Sequence, residues 1–326
     1  MHRTLSAAGA FWLAAFTYFI WGFTFLASRI AQDYGTPFVL LFWRFALAFL
    51  VLNLLRLTGR FPVRFRSRKL WPVLLAGLFE PVLYFPCEQY GLKLTSTSFS
   101  GVMVALIPLC SLVYGAIFLH EKATWRQVVF SVLSVAGVIV LAVYATGIDA
   151  GSFLGFLILL GTVFAGAGYM VACRACSGSF TAFECTYITC GMDAAAFGVL
   201  SVLEHRHDLS AVVLPMTHAP FALAIVFLSV VASVLSYLAL NRALEVLPVA
   251  RAAVLTNLST VVSVLTGVLI LHEPFGWISA MASAAILVGI WGVQRFAAPT
   301  PPPATGGEPL PRHERSLTQN IFTSEG

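Results

Sequence analysis

Charge is what this sequence has least of. Asp, Glu, Lys and Arg make up 10% of its 326 residues, against roughly 25% in ordinary soluble domains. Hydrophobic residues reach 59% and mean hydropathy is +0.89, more apolar surface than one water-soluble core of this size can hide. Long polar connections are also missing. The two longest, 58–70 and 204–218, are too small to form a domain, so any chemistry has to happen among the apolar segments. There is no G-x-S-x-G, no H-E-x-x-H and no phosphate-binding loop, which removes the common signatures of a serine hydrolase, a zinc peptidase and a nucleotidase. Of the six cysteines only Cys173 and Cys176 have ligand-like spacing. Without a second pair they define neither a zinc site nor a disulfide framework, and no metal or other cofactor is expected.

What remains is a chain of apolar stretches about 20 residues long, each able to cross a hydrocarbon layer of roughly 30 Å as a helix. The pattern predicts an all-α membrane protein with ten transmembrane spans: 10–30, 37–57, 71–91, 96–118, 126–145, 153–173, 181–203, 219–241, 247–271 and 275–296. The first span is too long for a signal-peptide core and lacks a small-residue cleavage site, so it is expected to stay as an anchor. The tail, 297–326, is polar and proline-rich and is expected to be disordered.

Positive residues set the orientation, because they are retained in the cytoplasm. With the N-terminus inside, fourteen lysines and arginines fall on inner segments, three on outer ones (Arg29, Lys93, Arg206), and Arg44 and Arg251 lie within spans. A multi-pass protein of the cytoplasmic membrane with both termini cytoplasmic follows. The net charge of +5 is then a topology signal. The basic run RFPVRFRSRK faces anionic membrane lipid, and nucleic acid is not expected as a partner.

The chain also repeats itself. LHEKATW at 119–125 returns as LHEPFGW at 271–277, an offset of 152 residues. The same offset pairs Leu92 with Leu244, Leu106 with Leu258, Ser111 with Ser263, Trp125 with Trp277, Ser131 with Ser283 and Gly137 with Gly289. A register shared over roughly 45 residues indicates duplication, with five-helix repeats at 1–145 and 151–296. Five is odd, so the second repeat enters the membrane from the opposite side. Secondary transporters use this inverted arrangement, with the binding site near the midplane where the halves meet.

IWGFTFLASRI at 20–30, LFWRFALAF at 41–49, YGLKLTSTSFSGVMVALIPL at 90–109 leading to LHE, and the second-half counterpart at 237–273 together resemble the drug/metabolite transporter superfamily, EamA-type. The resemblance covers nearly the whole membrane part. It implies a central cavity lined by both halves and alternating access, usually for amino acids or other small metabolites. One departure is Thr260, which stands where the first half has Pro108 and puts a kink in the ninth span in doubt.

Within the spans, LFEPVLYFPCEQYGL at 78–92 is the anomaly. On a continuous helix Glu80, Tyr84 and Glu88 share one stripe, each step of four adding only about 40°. Carboxylates do not face lipid, so the stripe is expected to face the bundle or a wet cavity. Pro81 and Pro86 favour a kink that frees carbonyls. Arg44 lies at a depth from which it can reach either glutamate; which of the two it pairs with stays open. The carboxylate left over suits proton coupling, and Glu80, nearer the midplane, is the first choice.

In the second half Asp193 is the deeper acid of the seventh span and a candidate for substrate binding or coupling. Glu184 lies on the opposite face near the inner boundary and reads as a solvated helix end. Asn257 is a further candidate, although amides pack helices together as often as they touch substrate. Arg251 can snorkel to the cytoplasm, and TSTSFS at 95–100 reads as a cap of the fourth span. Trp21, Trp43, Tyr84, Tyr90, Tyr169 and Tyr237 can shape a cavity or anchor an interface. His120-Glu121 and His272-Glu273 lie on opposite sides of the bilayer and form no shared metal site; their acids are expected to stabilise the start of the following helix through its dipole.

The expected function is secondary active transport, exporting a small metabolite such as an amino acid, with protons as a possible coupling ion. The alternative is a membrane-embedded enzyme acting on a lipid or peptide, whose catalytic pair would have to come from Glu80, Glu88 or Asp193. A receptor or pore subunit fits the duplicated, unevenly polar halves less well. Reporter fusions in the 204–218 loop and on the tail should report opposite sides of the membrane; the same side for both would eliminate the inverted repeat.

Overall fold

In the computed structural model, residues 6–59, 61, 63, 71–118, 124–145, 150–176, 181–244 and 249–296 are described. Among these residues all regular structure is helical. The helices are α1 (Ala7–Gly22), α2 (Thr24–Gln32), α3 (Pro37–Leu57), α4 (Trp71–Gly77), α5 (Tyr84–Leu94), α6 (Thr97–Val104), α7 (Ile107–Phe118), α8 (Trp125–Ala145), α9 (Ala150–Cys176), α10 (Ala182–Glu204), α11 (Ser210–Val213), α12 (Ala219–Val226), α13 (Ser236–Leu244), α14 (Val249–Leu269) and α15 (Trp277–Arg295). Wider, π-type turns join α4 to α5 (Leu78–Leu83) and α12 to α13 (Phe227–Leu235), and a 3-10 turn, Leu214–Thr217, precedes α12.

Among the described residues each of the ten apolar stretches is largely helical. Five helical runs are both long and apolar enough to cross a membrane, at Ala8–Gln32, Pro37–Leu57, Phe183–Glu204, Ala219–Leu240 and Trp277–Arg295. Four shorter apolar helices lie at Thr97–Cys110, Trp125–Leu141, Phe153–Tyr169 and Asn257–Leu269. The remaining stretch, 71–94, is broken and carries the two glutamates.

The starts and breaks follow local chemistry. Thr36 caps α3, its hydroxyl accepting from the Val39 N–H at 3.5 Å with Pro37 at the first helical position, where a missing N–H costs nothing. Ser96 caps α6 by accepting from the Phe99 N–H at 3.1 Å, so the TSTSFS run is a cap as expected. Between α6 and α7 the chain turns at Ala105–Leu106, just before Pro108, whereas α14 runs unbroken through Thr260. Thr260 retains the backbone N–H that a proline removes.

Packing respects the 152-residue offset. α5 packs on α9 as α13 packs on α1, α7 on α9 as α14 on α1, and the 71–83 stretch on α10 as the 219–235 stretch on α3. The pairs α3–α10, α6–α14 and α8–α15 each bring a helix against its own counterpart. At the α8–α15 contact a Cβ on Gly137 would meet Ala282 and Ile286, and one on Gly289 would meet Phe130 and Ser134. These two sets of neighbours are themselves related by the offset. The Ser134 hydroxyl donates to the Ile286 carbonyl, 152 residues away, at 3.1 Å.

The outside of the molecule is apolar. Phe16, Leu50, Val132, Ile139, Phe164, Val199 and Leu223 are all exposed, a surface that water does not tolerate over such an area and lipid does. Trp125 and Trp277, 73% and 72% exposed, stand at the first residues of α8 and α15, where indoles anchor at a membrane interface. Near the other end of α3, Tyr187 donates to Asn53 Oδ1 at 2.8 Å and accepts from Arg56 Nη1 at 3.2 Å, tying α10 to α3.

The glycine seam can be tested. Gly289→Val should cost at least about 1–3 kcal/mol by overpacking, because the backbone of Phe130 and Ser134 cannot yield. The exposed Val288→Leu on the same helix should leave stability unchanged. Thermal unfolding of both variants in detergent checks this.

Candidate functional site

The site starts from one backbone constraint. A residue before proline is disfavoured in the helical conformation, and Glu80 precedes Pro81. Glu80 accordingly has φ −133° and ψ 112°, non-helical values inside the Leu78–Leu83 segment. The continuous stripe expected for Glu80, Tyr84 and Glu88 therefore does not form. Tyr84 and Glu88 do meet on α5, the phenol donating to Glu88 Oε1 at 3.1 Å. Glu80 is turned away and accepts from the Tyr237 hydroxyl of α13 at 3.2 Å.

The counterpart of Glu80 under the offset is Ala232, in the second widened segment. There the backbone takes part: the Ala232 carbonyl accepts from the Trp21 indole N–H at 2.9 Å. Ser233 replaces Pro81 at the next position. It donates to the Leu228 carbonyl at 2.8 Å and accepts from Arg44 Nε at 3.3 Å. Trp21 also packs on the Tyr237 ring, with centroids 5.2 Å apart. Tyr237 thus contacts Glu80 of the broken segment, while Trp21 and Arg44 contact Ala232 and Ser233 of the widened one.

Arg44 is buried on α3. Its guanidinium lies over Phe85 at 4.5 Å and over Phe45 at 5.3 Å, a contact of the kind that stabilises a desolvated cation. The expected choice between Glu80 and Glu88 as its ion-pair partner resolves to neither. Among the described residues no carboxylate comes within salt-bridge distance of Arg44, although its charge acts on Glu80, Glu88 and Asp193 together. The break at Glu80 and the Tyr84–Glu88 bond orient both glutamates to other donors.

Glu88 is part of a polar chain. Gln89 Nε2 donates to Glu88 Oε2 at 3.1 Å and to Ser28 Oγ at 3.2 Å, and Gln32 Nε2 donates to Gln89 Oε1 at 2.9 Å. Gln32 in turn lines a cavity of about 360 Å³ with Lys93, His205 and His218. Glu88 is thereby linked by hydrogen bonds to an open pocket beside the α2–α3 turn.

The other candidates sort as follows. Asp193, fully buried on α10, joins Arg44 and Glu80 in the charged cluster. Asn257 is half-buried on α14, and among the described residues no hydrogen bond joins it to the cluster. Glu184 is buried rather than solvated, but it is a helix-end residue as expected. It forms a capping box with Thr181, accepting from the Thr181 N–H at 2.9 Å while its own N–H donates to Thr181 Oγ1 at 3.2 Å. The backbone of residue 251 lies in α14, and its side chain lies outside the described residues, as do those of Cys173 and Cys176.

His120-Glu121 lies outside the described residues. Glu273 departs from expectation, because it serves a helix far away rather than the following one. His272 adopts φ +53°, a left-handed turn that polar residues tolerate, and sends Glu273 back toward α6. The carboxylate accepts from the N–H groups of Thr97 and Ser98 at 2.6 and 2.9 Å and from the Ser98 hydroxyl at 2.7 Å. Free N–H groups at a helix start attract an anion from whichever element supplies one.

Residues not singled out from the sequence include Gln89, Gln32, Ser28 and Ser233. Gln89 had a usable signal, since an amide in an apolar span is nearly as anomalous as the carboxylate beside it. Ser233 was reachable through the offset from Pro81.

Comparison with known proteins agrees with this architecture. Residues 8–143 and 153–295 each match the EamA-like transporter family, and the chain belongs to that family of membrane transporters. A Bacillus subtilis (strain 168) protein named uncharacterized transporter YcxC is 30% identical over 285 residues, covering 86% of this chain and 91% of the relative. An uncharacterized transporter of Archaeoglobus fulgidus is 25% identical over 289 residues, covering 86% and 97%. A crystal structure of a protein 19% identical in sequence superposes with a TM-score of 0.61 over 90% of this chain and 100% of the other, a likeness of fold.

The Glu273 contact has a measurable worth. Glu273→Gln keeps the shape and one acceptor but removes the charge, and should lower stability by about 1–2 kcal/mol. Equilibrium denaturation in detergent, with Glu273→Ala as the larger loss, checks this.

Proposed function

We propose that this chain is a secondary active transporter with ten spans, built as inverted repeats at 1–145 and 151–296 and followed by a cytoplasmic tail at 297–326. It works in the cytoplasmic membrane with both termini inside, and exports a small metabolite such as an amino acid by alternating access. The observation that carries this reading is the Tyr237–Glu80 hydrogen bond, which joins the broken third span of one repeat to the π-widened eighth span of the other. Irregular backbone at membrane depth is tolerated where it lines a protein-enclosed or wet cavity, and transporters place substrate at such breaks. Family membership and the offset-related packing support the same reading.

In this scheme Arg44 receives an anionic group of the substrate, because it is buried and among the described residues no carboxylate is in ion-pair contact with it. Glu80 and Tyr84 line the cavity, and Glu80, partly exposed at the break, exchanges a proton or binds a cationic group. Glu88 ends the polar chain from the Gln32 pocket. Asp193 belongs to the charged cluster, while Asn257 acts from α14 at its margin.

The test is reconstitution in sealed vesicles with a panel of radiolabelled amino acids, followed by Glu80→Gln. Flux driven by a pH gradient should collapse while the amount of folded protein survives, since an amide is less costly to bury than an unpaired carboxylate. Normal flux per folded molecule would defeat the coupling role. Lower abundance restored by adding Arg44→Gln would make Glu80 a structural counter-charge. Covalent conversion of the solute, in place of flux, would favour a membrane-embedded enzyme.

A further inference from the structure

The three carboxylates of the cluster are not satisfied alike. Glu88 accepts from Tyr84 and Gln89, and Glu80 accepts from Tyr237. Asp193 is wholly inaccessible, and among the described residues neither of its carboxyl oxygens has a hydrogen-bond partner. The helix that carries it, α10, packs against α3, α4, α13 and the Leu78–Leu83 segment. From these come Arg44 on α3, Glu80 on the bent segment and Tyr237 on α13; the described stretch of α4 has no ionisable side chain. Cys190, one turn earlier on α10, completes the surroundings and is also buried.

A carboxylate anion without a donor is among the most costly groups to bury, and the neutral acid is far less so. Arg44 is the one cation acting on all three acids, and it forms no ion pair with Asp193 among the described residues. Glu88, with two donors, is the best hydrogen-bonded acid of the set. Asp193, with none, is the group for which ionisation is least supported.

We propose that Asp193 is a proton-binding site, its carboxyl carrying a proton in this packed conformation. When α3, α10 and the bent segment separate, water reaches the group. The O–H bond then breaks, the electron pair stays on the carboxylate, and the proton passes to that water. The use of this proton in transport rests on the transporter reading; its presence on Asp193 does not.

The experiment therefore reads the proton directly. The full chain carries four aspartates, of which Asp33 and Asp208 are exposed and Asp149 lies outside the described residues. Aspartate labelled with 13C at its side-chain carboxyl is incorporated into the wild-type protein. The protein is placed in lipid vesicles and studied by infrared spectroscopy at pH 8, about four units above the ordinary aspartate value of ~3.9. A label-sensitive band of a protonated carboxyl is expected, and Asp193→Asn should abolish it whereas Glu80→Gln should not. Absence of the band in the wild type overturns the proposal with no reliance on a variant's folding. Persistence of the band in Asp193→Asn also overturns it, by moving the proton to another aspartate. Failure of solute flux in vesicles would count against the transporter reading and leave the infrared result standing.

Discussion

The refusal of the residue before a proline to stay helical is the constraint on which the site depends. Because Glu80 precedes Pro81, its backbone leaves the helix, and its carboxylate reaches Tyr237 in the second half of the chain. A continuous helix would have stacked Glu80 over Tyr84 and Glu88 and taken its carboxylate away from Tyr237. The break thus separates Glu80 from Glu88, and Asp193 comes to the same region from α10. Arg44 stands between them, held by Phe85, Phe45 and Ser233.

Duplication turns this local event into an architecture. The second copy widens its helix at the equivalent place without a proline. Ser233 takes the position of Pro81, and its hydroxyl satisfies the Leu228 carbonyl. Trp21 satisfies the Ala232 carbonyl where the first copy presents a carboxylate. The two halves therefore keep a common backbone deformation while diverging in chemistry, acidic in one and hydrogen-bonding in the other. Around this centre the repeats touch through matched seams, clearest at Gly137 and Gly289, where the absence of a side chain lets α8 and α15 approach backbone to backbone.

Much of this was legible in the residues alone. Apolar length and the scarcity of charge place the helices, and the LHE offset reveals the repeat. The missing proline at Thr260 puts a kink in doubt, and α14 runs unbroken there. The buried acids announce themselves, because a carboxylate inside an apolar run has no inexpensive place to go. The partners were less legible. Glu273 looked like a helper of the helix that follows it and instead caps α6, since free N–H groups at a helix start accept an anion from any element that reaches them. Glu184 looked solvated and is buried, its charge absorbed by a capping box three residues wide.

By itself the sequence determined the solvent, the helical class, the duplication and the set of buried polar residues, because each depends on composition or on spacing along the chain. Only the tertiary structure decided which acid meets which donor. That choice rests on a break that rotates Glu80 off its expected face and on contacts between residues 157 apart in the chain. It also rests on whether any donor happens to reach a given oxygen. For Glu88 two do; for Asp193 none does, and a linear sequence carries no record of that difference.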